Sequence, residues 1–282
     1  MGELLALLSA LCFGITHFVN GLASRRHSGL TVALHAQVGG TALGLLLALA
    51  VGGGTASLAD YGWGALSGVG TGVGVAFLYQ AMSQGAMSVV VPVSDVGAVA
   101  LPVLVGVCFL GERPALAAWV GIAAVPPALW LVSQKSSSLG DDQSGALSAG
   151  TLSALIASVG FGVQFLAMAQ VGTNSGLWPV VLSRVASVAV IAVVLRAYGA
   201  PGGLTGRPWV AVAAAGALGT LAIVLYLEAT SQQLMAIATV LSALYPAVPV
   251  LLALMLLKER LNRRQATGLI CAALAIGLIA LR

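Results

Sequence analysis

Apolar residues run along this chain in long unbroken stretches, and the polar positions fall between them. No Asp, Glu, Lys or Arg occurs in residues 27–59, 61–94, 114–134, 143–183, 208–227, 229–257 or 265–281. Each window can hold the roughly 20 residues that a helix needs to cross a hydrocarbon core. Gly, Pro and charge divide the stretches into ten segments, near residues 3–23, 29–51, 63–83, 86–110, 115–133, 147–169, 177–196, 208–229, 233–257 and 264–281. In lipid a backbone must satisfy its own hydrogen bonds, and the alternation of a barrel strand is missing, so the segments are predicted to be helices. The pattern predicts an all-α polytopic membrane protein with ten transmembrane helices.

The most polar stretch, SQKSSSLGDDQSG from Ser133 to Gly145, lies near the middle of the chain. It predicts a linker over 135–146 between a first half, 1–134, and a second, 147–282. Shifting the chain by 147 residues brings Tyr79 onto Tyr226, Pro102-Val103-Leu104 onto Pro249-Val250-Leu251, and Leu110 onto Leu257. The same shift superposes Glu112-Arg113 on Glu259-Arg260 and Gly121 on Gly268. Upstream the spacing drifts: Phe13-Gly14 meets Phe161-Gly162 at 148, and Trp63 meets Trp209 at 146. Five spans per half is an odd number, so the second half enters the membrane from the opposite side. Two inverted five-helix repeats suit alternating access to one midplane site.

Composition sharpens this picture. Of 282 residues, 59% are apolar and only 7% are charged. Soluble chains carry about 25% charged residues, so a water-facing surface cannot be built from this chain. The net charge of +4 is scattered over segment ends and forms no stripe that would fit nucleic acid. Cys12, Cys108 and Cys271 lie in apolar stretches without a CxxC pair and read as small buried residues. The N-terminal segment has Glu3 in place of a basic leader and no clear cleavage site, so it is predicted to be the first span. No GxxxxGK[ST] is present, which argues against ATP-driven transport. GVGTGVGV lies inside an apolar segment and is no dinucleotide turn. Gly64, Gly68 and Gly72 form a ridge suited to close helix packing. No enzyme activity, metal or cofactor is expected.

Two stretches, PVLVGVCFLGERPALAAWVGIAA and PVLLALMLLKERLNRRQATGLICAA, carry a family resemblance. Each has an apolar helix with a Pro, a Glu-Arg end, and a further helix with a Gly. Phe13-Gly14 and Phe161-Gly162 stand where the family commonly has Trp-Gly, and Lys258 where it often has Gly. The chain resembles EamA-type members of the drug/metabolite transporter superfamily over nearly its whole length. The resemblance implies ten helices, a central cavity between the halves and secondary transport. It also implies that both termini are cytoplasmic. That orientation puts Arg25, Arg26, Lys135, Arg196, Arg207, Lys258, Arg260, Arg263 and Arg264 outside, and only Arg113 and Arg282 inside. Counting by the positive-inside rule prefers the opposite.

Polar groups at membrane depth are costly and therefore mark candidate sites. Asp95 lies mid-segment between Pro92 and Pro102, where freed backbone carbonyls and a carboxylate suit a cation or a proton. Its alternative role is a hydrogen bond to a neighbouring helix. Thr239, Ser242, Pro246 and Pro249 form the equivalent face of the second half, with Tyr245 beside them. Arg184 is the one basic residue deep in an apolar segment; it suits an anionic group, or else a structural pair. The resemblance implies a basic residue at this place in the seventh helix. His17 and its near-equivalent Gln164, 147 residues on, are candidate cavity residues, with packing as the alternative for His17. The repeated pair Tyr79 and Tyr226 completes the set. Glu228, near a segment end, reads as interfacial.

These features predict a secondary transporter exporting amino-acid-like compounds or drugs. Its partners would be a small-molecule substrate, the lipid bilayer and protons as coupling ion, with no nucleic acid. The assembly would be a monomer or homodimer. The scarcity of Lys against Arg points to a bacterial source and so to the cell membrane. The competing readings are a membrane-embedded enzyme and a non-transporting assembly subunit.

Overall fold

A computed structural model describes residues 1–95, 116–133, 150–172, 174–232, 241–242, 244–258 and 261–280. Most of the fourth predicted segment, the linker, Thr239 and both Glu-Arg pairs lie outside the described residues. Among the described residues the chain is helical and contains no strand. The helices are α1 Gly2–Ser24, α2 Gly29–Val51, α3 Leu58–Gln84, α4 over 87–95, α5 Leu116–Ser133, α6 Thr151–Met168, α7 Trp178–Ala197, α8 Arg207–Gln232, α9 Ala247–Leu256 and α10 Arg263–Ala280. Six of them, α1, α2, α3, α6, α7 and α8, are long and apolar enough to cross a membrane. The chain is a multi-pass membrane protein.

Local chemistry moves two of the predicted boundaries. α3 starts at Leu58 rather than near 63, because Ser57 and Asp60 form a capping box. The Asp60 amide donates to Ser57 Oγ at 3.2 Å, and the Ser57 amide donates to Asp60 Oδ2 at 2.7 Å. Two otherwise unpaired helix-end donors are thereby satisfied. The ninth predicted segment, 233–257, is interrupted. Tyr245 N–H donates to Ser242 O at 3.1 Å and Ala247 N–H to Leu244 O at 3.0 Å, so the chain turns over 244–246 before α9 begins. Pro246 has no N–H to carry a helical ladder through this point.

The largest packed pairs are α3 with α6, α1 with α8, α5 with α10, α3 with α7, α2 with α8, and α2 with α7. Replacing each helix by the one five places along maps this set onto itself. The helices also have definite directions. His17 lies by Tyr79 and Gly21 by Met82, so α1 runs parallel to α3. Ser67 contacts Gln164 and Gly74 contacts Phe161, so α3 runs antiparallel to α6. It follows that α1 and α6, the first helices of the two halves, run in opposite directions.

Backbones approach closely where the helices lack side chains. Gly64, Gly68 and Gly72 face the carbonyls of Pro179, Ser183 and Ser187 on α7, and any Cβ there would collide with or crowd α7. The second half repeats the device one spacing on. Gly216 faces Ala36 O, and Thr220 Oγ1 donates to Gly40 O at 3.0 Å. The glycine ridge read from the sequence is this packing surface.

Candidate functional site

The polar centre of the bundle lies where α1, α2 and α3 meet α6, α7 and α8. There the α2–α7 crossing joins Gln37 to Arg184. Arg184 Nη1 donates to Gln37 Oε1 at 3.1 Å, and Ser187 Oγ donates to the same oxygen at 3.0 Å. The two partners are 147 residues apart, the spacing of the repeat, so the bond links equivalent positions of the two halves. Arg184 is only 4% exposed, yet its Nε and Nη2 have no hydrogen-bond partner among the described residues. A buried guanidinium with two open donors is a strong potential anion-binding group.

Next to this pair is an aromatic enclosure. His17 is ringed by Phe13, Tyr79, Phe161 and Tyr245, with centroids 6.3, 6.1, 6.0 and 5.2 Å away. The Tyr79 hydroxyl is 3.4 Å from His17 Nδ1 and accepts from Asn20 Nδ2 at 3.0 Å. Thr71 Oγ1 donates to Gln164 Oε1 at 2.7 Å on the opposite wall. The turn at 244–246 brings Tyr245 into this enclosure and sets its hydroxyl beside the Asp95 carboxyl. Asp95 is 1% exposed, and neither carboxyl oxygen has a well-formed hydrogen bond among the described residues.

His17, Tyr79, Gln164, Arg184 and Tyr245 line a common cavity of ≈30 Å³. That is room for about two water molecules. Asp95 stands one side chain back, behind Tyr245. Tyr226 and Ser242 do not reach the cavity. Tyr226 packs with Ala6 and Ala229 and edge-on to Phe165, while Ser242 donates to Ala6 O at 3.4 Å.

Contacts also reassign one equivalence. Tyr226 meets Phe165 at 6.0 Å and 72°, as Tyr79 meets His17 at 6.1 Å and 62°. Phe165 therefore stands in the place of His17. Gln164 stands in that of Thr16, which donates to Ala215 O at 2.8 Å as Ser67 donates to Gln164 O at 3.0 Å. The expected pairing of His17 with Gln164 is off by one residue, because the repeat spacing here is 148.

Sequence reasoning missed Gln37, Asn20 and Thr71. Gln37 carried a signal, since it lies one repeat length before Arg184. Asn20 lies three residues from His17, on the same helical face. Thr71 was hidden within the glycine ridge.

A family model described as the EamA-like transporter family matches residues 1–134 and again 148–281. The chain belongs to the EamA-like transporter family. The double match places a family unit in each half, on either side of the polar stretch near the middle. A transporter family, not an enzyme family, is thus the setting of this site. A solved crystal structure of a protein is similar over 99% of this chain and 95% of its own, at 18% identity and a TM-score of 0.61. That likeness concerns the fold. A search of curated proteins returns no significant match.

Proposed function

We propose that this EamA-like protein is a secondary transporter that exports amino-acid-like metabolites or drugs across a bacterial cell membrane. The observation that carries the reading is the open edge of Arg184 in a cavity between the two halves. A substrate carboxylate would bind Nε and Nη2. The aromatic walls from Phe13, Tyr79, Phe161 and Tyr245 would cover an apolar body. Asp95, behind the Tyr245 hydroxyl, would take the substrate ammonium or a coupling proton when the helices part.

Alternating access between two inverted five-helix repeats is the mechanism we infer. The opposite directions of α1 and α6 and the self-mapping set of helix pairs support it. A cavity lined from both halves is where such a cycle would hold its substrate.

The test is flux in proteoliposomes against a panel of amino acids, their amides and cationic drugs, with and without a pH gradient. We expect at least one carboxylate-bearing solute to move without ATP. Asp95→Asn is expected to flatten the pH dependence of that flux. Unchanged pH dependence in Asp95→Asn across the panel removes the proton role from Asp95.

A further inference from the structure

The two ends of the helix bundle differ sharply in charge. At the near end α1, α3 and α7 begin and α2, α6 and α8 finish; the far end is the reverse. Loop contacts establish this: Thr55 N–H donates to Asn174 O at 3.0 Å, and Gly172 N–H donates to Asp60 Oδ1 at 2.8 Å, joining the 52–57 and 169–177 connections at the near end. At the far end, Thr31 Oγ1 donates to Pro201 O, and Gly150 abuts Ala81. Ser242, Tyr245 and Val248 meet Ala6, Phe13 and Gly14 in turn, so α9 runs parallel to α1 and delivers Lys258 to the far end.

On this frame Arg25, Arg26, Arg196, Arg207, Lys258, Arg263 and Arg264 all lie at the far end, and all are exposed. They come from both halves and from three separate connections. The near end holds Glu3, Asp60 and Glu228, with no Lys or Arg among the described residues. Mid-bundle Arg184 and Asp95 belong to neither end.

We propose that the far end faces the cytoplasm and the anionic headgroups of its leaflet, so that Met1 and the 52–57 connection lie on the outer side. Basic residues in short connections are retained on the cytoplasmic side, and an anionic leaflet attracts them. Among the described residues the near end carries only acidic charge, and of the two arginines that charge counting sets against the basic group, Arg113 and Arg282, neither lies in the described residues. The orientation is the reverse of the one implied by the family resemblance. It also assigns the contacts at the two ends to sides of the membrane: the Asp60–Gly172 and Thr55–Asn174 contacts lie on the outer side, and the Thr31–Pro201 contact on the inner one.

The experiment is single-cysteine labelling in intact bacterial cells, with Cys12, Cys108 and Cys271 replaced by Ser. Thr55→Cys reports the near end and Gly202→Cys the far end; both positions are exposed, and a Cβ at Gly202 meets nothing within 4 Å. Both variants must first give a single monodisperse species in detergent; a replacement background that fails this is exchanged for one with Ala. A membrane-impermeant maleimide is expected to label Thr55→Cys at least tenfold faster than Gly202→Cys, and the difference should vanish on permeabilisation. The reverse ratio overturns the proposal, and so does equal labelling, which would mean mixed insertion. Replacing Arg25, Arg26, Arg196 and Arg207 by Ser is expected to narrow the ratio. An unaltered ratio there refutes the basic end as its cause.

Discussion

Gln37 and Arg184 occupy equivalent places in the two halves and bond to each other at 3.1 Å, yet only one of them is charged. At the residue scale this asymmetry gives the cavity a direction. On the proposed reading, a zwitterionic substrate would set its carboxylate on the Arg184 side, and a site with two identical walls could not orient it. Arg184→Gln keeps a polar side chain but removes the open donors. It is expected to raise the half-saturating concentration of a carboxylate-bearing substrate about 10-fold or more, since a hydrogen bond to a charged group contributes about 1.5–3 kcal/mol. The corresponding amide substrate should change little. Equal loss for acid and amide, measured by concentration-dependent flux, would assign Arg184 to structure instead.

Among elements, α3 and α7 are held by a seam in which glycine lets backbones touch. Lipid tails are as apolar as leucine, so van der Waals packing rather than water exclusion holds such helices together. Gly68→Leu would push a side chain into the Ser183 carbonyl and Ala186. Overpacking of this kind costs about 1–3 kcal/mol, so a lowered unfolding temperature in detergent is expected. Gly62 is on the same helix, and a Cβ there would meet nothing within 4 Å. Gly62→Ala should therefore leave stability level or raise it by up to about 1 kcal/mol. Similar temperatures for the two variants would show that the seam carries no packing constraint.

For the whole molecule, the proposed alternation of the two halves makes a specific demand on the near end: the bridged connections there would have to separate. Thr55 and Asn174 are joined through their backbones at 3.0 Å, on opposite sides of the junction. A Thr55→Cys, Asn174→Cys pair on a background without other cysteines is expected to stop flux when oxidised and to restore it on reduction. Full flux in the oxidised state would mean that this end does not open.

The membrane class, the positions of the helices among the described residues and the recurrence of one family unit in each half were legible in the sequence. Each depends on local hydropathy or on spacing along the chain, and a lipid solvent leaves a helix as the only answer for such segments. The capping box at Ser57 and Asp60 was readable in principle, because it is a contact across three residues. Tertiary structure alone decided which polar groups meet. His17, Tyr79, Gln164, Arg184 and Tyr245 converge, while Tyr226 and Ser242, equally polar and equally buried, turn towards α1 and α6. Spacing gives the face of a helix but not the rotation at which that face packs. A one-residue change of repeat spacing, from 147 at Gln37 and Arg184 to 148 at His17 and Phe165, is enough to exchange a cavity residue for its neighbour.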